Sequence, residues 1–299
     1  MELHRRGAIG SVPVVGDAHL YFGADDGQLY ALEPSTGKQI WTHDGDAEIT
    51  GAVRVSGDLL YFSTALDTVY CVAASSGEYR WHVRHPQPIG ISLFGNATPT
   101  LATAFAPTGE ATDVVAMGYA DGSLAVMDAG DGRVIWKAEL GKGEAFYDVD
   151  ADPVVVGNLL VAASHTGGVT AFDLATGTIR WHNDVPGLTR LGTDGRVLVG
   201  AGAGMAIGLG LKSGQELWSY QFERGTASRL VFDGDRVLFN SDIGPTYILD
   251  LFSGERLQAF GSPLGMAGQP AVIDDLLLVY SNGGTLYALS SAFAGWAHK

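Results

Sequence analysis

A glycine turn followed four residues later by tryptophan recurs down this chain and limits its fold more than any other feature. It first reads Ser35-Thr36-Gly37-Lys38-Gln39-Ile40-Trp41. It returns as Ser76-Gly77 with Trp81, Asp131-Gly132 with Trp136, Thr176-Gly177 with Trp181 and Ser213-Gly214 with Trp218. A sixth copy, Ser253-Gly254-Glu255-Arg256-Leu257-Gln258, keeps the turn and puts Gln258 at the Trp position. From turn glycine to turn glycine the steps are 40, 55, 45, 37 and 40 residues. A period near 40 with short strands marks a radial β-repeat.

Upstream of each turn lies a second recurring segment, such as Asp26-Gly27-Gln28-Leu29-Tyr30-Ala31-Leu32, Asp121-Gly122-Ser123-Leu124-Ala125-Val126 or Gly283-Gly284-Thr285-Leu286-Tyr287-Ala288-Leu289, in seven copies. Before each comes an apolar run, for instance Leu59-Leu60-Tyr61-Phe62 or Leu159-Leu160-Val161-Ala162. Short β-branched and aromatic runs bounded by Gly, Asp and Asn read as strands. Pro13-Val14-Val15, Pro153-Val154-Val155 and Pro270-Ala271-Val272 stand earlier still, with Pro at an edge-tolerant position. One repeat is therefore a four-stranded antiparallel meander whose Asp-Gly and Thr/Ser-Gly pairs supply the tight turns. No sustained helical period appears, so essentially no helix is expected.

These repeats predict an all-β, seven-bladed β-propeller in one domain, residues 1–299. The blades fall near 11–44, 50–84, 97–140, 151–184, 190–222, 227–260 and 268–290. The last blade needs one more outer strand. Docking an N-terminal strand, residues 3–9, closes the ring and removes an exposed edge; the alternative is that residues 291–299 supply that strand. The 55-residue step comes from extra residues between Leu101 and Asp113, where Pro107-Thr108-Gly109 reads as a protruding loop.

The formal net charge of −15 argues against nucleic acid, since phosphate binding needs a Lys/Arg face, and against adhesion to anionic lipid. Cys71 is the single cysteine and falls in a strand, where it reads as a small core residue. No apolar run reaches membrane-spanning length, so no direct membrane insertion is expected. Met1-Glu2-Leu3-His4-Arg5-Arg6 has the charge of a signal peptide's start, but the apolar stretch that should follow is absent.

Asp148-Val149-Asp150-Ala151-Asp152 places carboxylates at alternate positions, but lacks the glycine and closing Glu of a calcium loop, so an acidic rim for a partner is the better reading. His43, His82, His85 and His182 all stand at or just after the Trp strand, and the repeat explains that placement. No nucleophile elbow, zinc-protease helix or phosphate loop occurs. No catalytic residue, no metal ligand and no cofactor is expected, and the chain reads as a non-enzyme.

The blade pattern, Asp-Gly-x-Leu-Tyr-Ala-Leu followed by Thr-Gly-Lys-x-x-Trp, resembles pyrroloquinoline-quinone-type propeller repeats. In such repeats Trp41, Trp81, Trp136, Trp181 and Trp218 would lock neighbouring blades. Ile91-Ser92-Leu93-Phe94-Gly95-Asn96-Ala97-Thr98-Pro99-Thr100 and the Asp148–Val156 stretch are similar to two non-repeat segments of the BamB family, propeller lipoproteins of the outer-membrane β-barrel assembly machinery. That resemblance covers about residues 11–290. It implies a scaffold on the periplasmic face of the outer membrane that docks the periplasmic domains of a BamA-like insertase. The implied contacts are Ile91, Leu93, Asp148 and Asp150, with Phe94 where the family carries Arg. Ile91 and Leu93 share one face of an extended segment and Phe94 the other. The family prototype has eight blades against the seven counted here. By itself the chain is expected to be monomeric. The competing functions are a propeller interaction or sensing module with another protein partner and, more remotely, a quinone-dependent dehydrogenase. Length and the lone Cys71 argue against the dehydrogenase.

Overall fold

In the computed structural model of the chain, residues 11–86, 97–141, 149, 151–274 and 276–290 are described. Every regular element among them is a strand, and the strands form seven antiparallel meander sheets. By compactness the chain divides into two units, Met1–Arg180 and Trp181–Lys299.

The first unit opens with a sheet of β1 (Val14–Val15), β2 (Leu20–Gly23), β3 (Gln28–Leu32) and β4 (Gln39–Asp44). The second sheet has β5 (Arg54–Ser56), β6 (Leu59–Ser63), β7 (Thr68–Ala73) and β8 (Tyr79–Arg84). The third has β9 (Thr100–Phe105), β10 (Ala111–Gly118), β11 (Ser123–Asp128) and β12 (Val134–Glu139). The fourth has β13 (Val154–Val156), β14 (Leu159–Ser164), β15 (Gly168–Asp173) and β16 (Ile179–Asn183), and the division between units falls within β16.

The apolar runs are continuous because both faces of the middle strands are covered. On β6, Leu60 and Phe62 pack with Tyr21, Leu29 and Ala31 of the first sheet. Tyr61 between them points the other way, into a cluster with Met117, Tyr119 and Met127 of the third. The third and fourth sheets meet through Val114, Val126, Leu160 and Phe172.

The second unit holds β17 (Leu188–Thr193), β18 (Val197–Gly210) and β19 (Glu216–Thr226) as one sheet. The 14 residues of β18 turn at Gly204, where φ is +73°. Its first half pairs with β17 and its second with β19, so the two halves take the second and third positions of the repeat. The next sheet has β20 (Val231–Asp233), β21 (Arg236–Asn240), β22 (Thr246–Asp250) and β23 (Arg256–Phe260). The last has β24 (Met266–Ile273), β25 (Leu276–Ser281) and β26 (Leu286–Ser290). Pro270 sits where the β24 ladder shifts register, between Ala267 and Ala271, a place a residue without an N–H tolerates. Neither segment weighed for a fourth strand here, 3–9 or 291–299, is among the described residues.

The protruding loop expected between Leu101 and Asp113 is instead mostly a β-hairpin. β9 and β10 stay paired out to Phe105 and Ala111, and only residues 106–110 turn. The Asp113 carbonyl accepts the Ala129 amide at 2.9 Å, the bond that Asp58 makes to Ala74 in the second sheet. The hairpin therefore keeps the repeat register and adds its extra residues beyond it.

Candidate functional site

The five tryptophans occupy one position of the outermost strand and do one job. Each indole Nε1 donates to a carbonyl of the following sheet. Trp41 reaches Ala74 at 3.2 Å, Trp81 Ala129 at 3.1 Å and Trp136 Leu174 at 2.8 Å. In the second unit Trp181 reaches Leu211 at 3.1 Å and Trp218 Leu251 at 2.8 Å. Trp81, Trp181 and Trp218 are buried, while Trp41 and Trp136 are half-buried. Under each indole lies the turn glycine of the next repeat. Gly132 has φ +75°, and a Cβ there would sit 2.7 Å from the Trp81 ring. Glycine is required twice over, for its backbone conformation and for the absent side chain.

Two residues beyond the Trp, a polar side chain can cap the same turn. His43 Nδ1 donates to the Gly77 carbonyl at 3.0 Å, and Asn183 Nδ2 to that of Gly214 at 2.8 Å. Where Gln258 replaces Trp, Phe260 meets Tyr287 edge-on, with ring centroids 5.1 Å apart.

The histidines separate in space. His82 bonds the Tyr79 hydroxyl and His182 bonds Asp184, both exposed on outer strands as the repeat predicts. His85 differs: it is buried, its ring stacks on Tyr119 at 4.3 Å, and its Nε2 lies 2.5 Å from Asp121 Oδ2. Ser123 Oγ is 3.2 Å from the same Nε2 and 2.5 Å from Asp121 Oδ1. A Ser, a His and an Asp thus converge beside a cavity of about 320 Å³ lined also by Lys137 and Glu139.

Their wiring is not that of a nucleophile. A general base must take the serine proton on one ring nitrogen while the carboxylate holds the other. Here Asp121 and Ser123 both meet Nε2, and the serine proton goes to Asp121. Burial works against the charged Asp121. The hydroxyl and amide of Ser123 and the His85 ring outweigh it and hold the carboxyl below its usual range. The cluster fastens the end of β8 to the β10–β11 turn.

The loop residues singled out from the sequence, Ile91, Leu93, Phe94, Asp148 and Asp150, lie outside the described residues. The chain on the far side of each segment is described, and the two re-entry points are joined. The Thr98 amide donates to Asp152 Oδ1 at 2.7 Å, and the Thr100 hydroxyl to the Pro153 carbonyl at 2.8 Å. Asp152, grouped with the rim carboxylates in the sequence, serves instead as this tie, with Arg54 3.9 Å from its other oxygen.

With this geometry in hand, comparison with known proteins is decisive. A family model described as outer membrane protein assembly factor BamB matches residues 2–220 and 188–293. The chain belongs to the BamB family. Two BamB relatives, from Escherichia coli strain K12 and Salmonella typhimurium, are each 26% identical. The first alignment covers 93% of this chain and 83% of the relative, the second 94% and 71%. The crystal structure of BamB from Moraxella catarrhalis superposes with a TM-score of 0.80 at 23% identity, covering 95% of this chain and 86% of that one. That likeness fixes the fold as a β-propeller, with the seven sheets as its blades.

Proposed function

We propose that this chain is a non-enzymatic scaffold of outer-membrane protein assembly, working at the periplasmic face of the outer membrane. Its partner is the periplasmic part of a BamA-like insertase. Membership of a family described as outer membrane protein assembly factor carries this reading. The docking surface is assigned to Ile91, Leu93, Phe94, Asp148 and Asp150, an apolar anchor beside charges that steer encounter. The tie between Thr98 and Asp152 supports it, because it brings the exits of the two segments together on one end of the blades. The proton arrangement at Ser123 supports a binding role over hydrolytic chemistry.

The test is capture of the insertase's soluble periplasmic domains by the purified full chain, with a melting curve alongside. A Phe94→Ala, Asp148→Ala, Asp150→Ala variant is expected to lose capture and keep its melting temperature, since exposed changes usually move stability by only about 0.5 kcal/mol. Capture equal to the unmodified chain sinks the surface assignment. Failure of the unmodified full chain to capture those domains sinks the insertase reading. Turnover of a donor substrate by the chain supplied with quinone and calcium overturns the non-enzymatic assignment.

A further inference from the structure

The long β9–β10 hairpin overhangs its neighbour. In the second sheet the equivalent hairpin turns at Gly57 and Asp58, directly after β5. Across the hairpin, Thr103 pairs with Asp113 and Phe105 with Ala111. These four share one face, because cross-strand partners and alternate residues point the same way. It is the face that carries Leu101 and Val115 into the cluster with Tyr61 of the second sheet. Beyond the shorter hairpin no sheet among the described residues faces it, and Phe105 is 52% exposed. The opposite side is held: the Phe105 amide donates to Asn158 Oδ1 of the fourth sheet at 3.0 Å. The ledge is thus pinned from behind and open in front.

Beneath it lies a cleft of about 680 Å³, with Leu59, Tyr61 and Leu101 on its floor and Thr103 and Asp113 on its wall. That is the size of a ligand site and admits a few side chains. No Lys or Arg lines it. Thr103 Oγ1 donates to Asp113 Oδ1 at 2.8 Å and orients the carboxylate, whose other oxygen has no partner among the described residues. Asp128, at the cleft's edge, is already engaged by the Gly130 amide and by Arg133. Burial pushes the Tyr61 phenol up, with smaller effects from Cys71 and from the charges of Asp113 and Asp128, so the negative field reaches the floor.

We propose that this ledge and cleft form a second docking site, which takes an extended segment of a partner protein presenting a Lys or Arg beside an apolar side chain. The basic head pairs with Asp113, its aliphatic stem and the apolar neighbour cover the floor, and Phe105 clamps the segment at the rim. Charge complementarity selects this occupant: a lone carboxylate above an apolar floor suits the long stem and cationic end of a basic side chain. The site stands at the end of the blades that carries the β5–β6 turn, opposite the end that carries the tie between Thr98 and Asp152.

The experiment uses the full chain and a fluorescein-labelled peptide of alternating Leu and Lys, read by fluorescence anisotropy at moderate salt. Asp113→Asn keeps the Thr103 bond and removes the charge, and is expected to weaken binding about tenfold, the factor that about 1.4 kcal/mol represents. Phe105→Ala is expected to weaken it several-fold. Asp131→Asn removes the same charge from an exposed turn and is expected to leave binding unchanged, as are the melting temperatures of all three. A Leu-Glu peptide is expected not to bind. Equal losses from Asp131→Asn and Asp113→Asn would mean that only net charge is sensed, and would overturn the site. So would Phe105-independent binding, or lysine amide binding as tightly as the peptide.

Discussion

The Trp81 indole and the Tyr61 phenol donate to the same oxygen, the carbonyl of Ala129, at 3.1 Å each. Tyr21 and Trp41 treat Ala74 in the same way, at 3.0 and 3.2 Å. A carbonyl has two lone pairs, and in these two junctions both are used. At Leu174, Leu211 and Leu251 the tryptophan indole donates in the same way.

Shared acceptance should make the two donors partly redundant. Tyr61→Phe or Trp81→Phe alone leaves Ala129 one donor, while the double variant orphans a buried carbonyl. The pair is expected to cost about 1–2 kcal/mol more than the sum of the singles. Denaturant unfolding of the four proteins of the cycle measures this. Additive losses would show that the shared oxygen is not a coupled element.

Glycine beneath the indole can be tested against glycine in the open. Gly157 has φ +57° and no atom within 4 Å of where a Cβ would stand, so Gly157→Ala is expected to cost about 1 kcal/mol from backbone strain alone. Gly132→Ala adds a clash with the Trp81 ring and is expected to cost about 3 kcal/mol or more. Equal losses at the two positions would remove the packing half of the lock.

Acid should loosen the turns before the core. Burial disfavours the charged Asp173, but bonds from Arg180 and Thr176 outweigh it and hold the carboxyl below its ordinary value of 3.8. Asp194 and Asp250 are lowered too, again against burial, by bonds within their own turns. A lowered folded pKa means that the stabilisation is present above the unfolded value and is lost as pH falls through the folded one. Stability should therefore decline from about pH 4 downward, and Asp173→Asn should decline less steeply over that range. A variant with an unchanged slope would contradict the assignment.

Ser123 should be inert. Its proton is committed to Asp121, so a fluorophosphonate probe is expected to leave it unlabelled in the folded chain. Stoichiometric labelling at Ser123, mapped by mass spectrometry, would reverse the reading of that cluster.

Much of the fold was legible because the repeat writes local and long-range information into the same few residues. The turn glycines, the apolar middle strands and the Trp positions each answer to a backbone or burial requirement that the sequence displays directly. The second donor at Ala129 was less visible. Tyr21 and Tyr61 sit inside apolar runs, where a tyrosine reads as bulk and its hydroxyl partner lies 53 and 68 residues away. Spacing alone groups His85 with the outer-strand histidines, and only the fold brings Asp121 to it. The long hairpin hid behind Pro107 and Gly109, which signal a turn but not how far the flanking strands run before it. The residues proposed to meet an insertase rest on family resemblance, since no periodicity marks them.

The lock between blades has a direction, and that bears on how such a chain can grow by duplication. The repeats of Trp81, Trp136, Trp181 and Trp218 each carry a plug, the tryptophan, and a socket, the turn glycine, but spend them at different junctions. A copied module therefore arrives matched to both of its new neighbours without any compensating change. Drift at one end is likewise contained. Gln258 withdraws the plug from a single junction, while Gly254, four residues earlier in the same module, still receives Trp218.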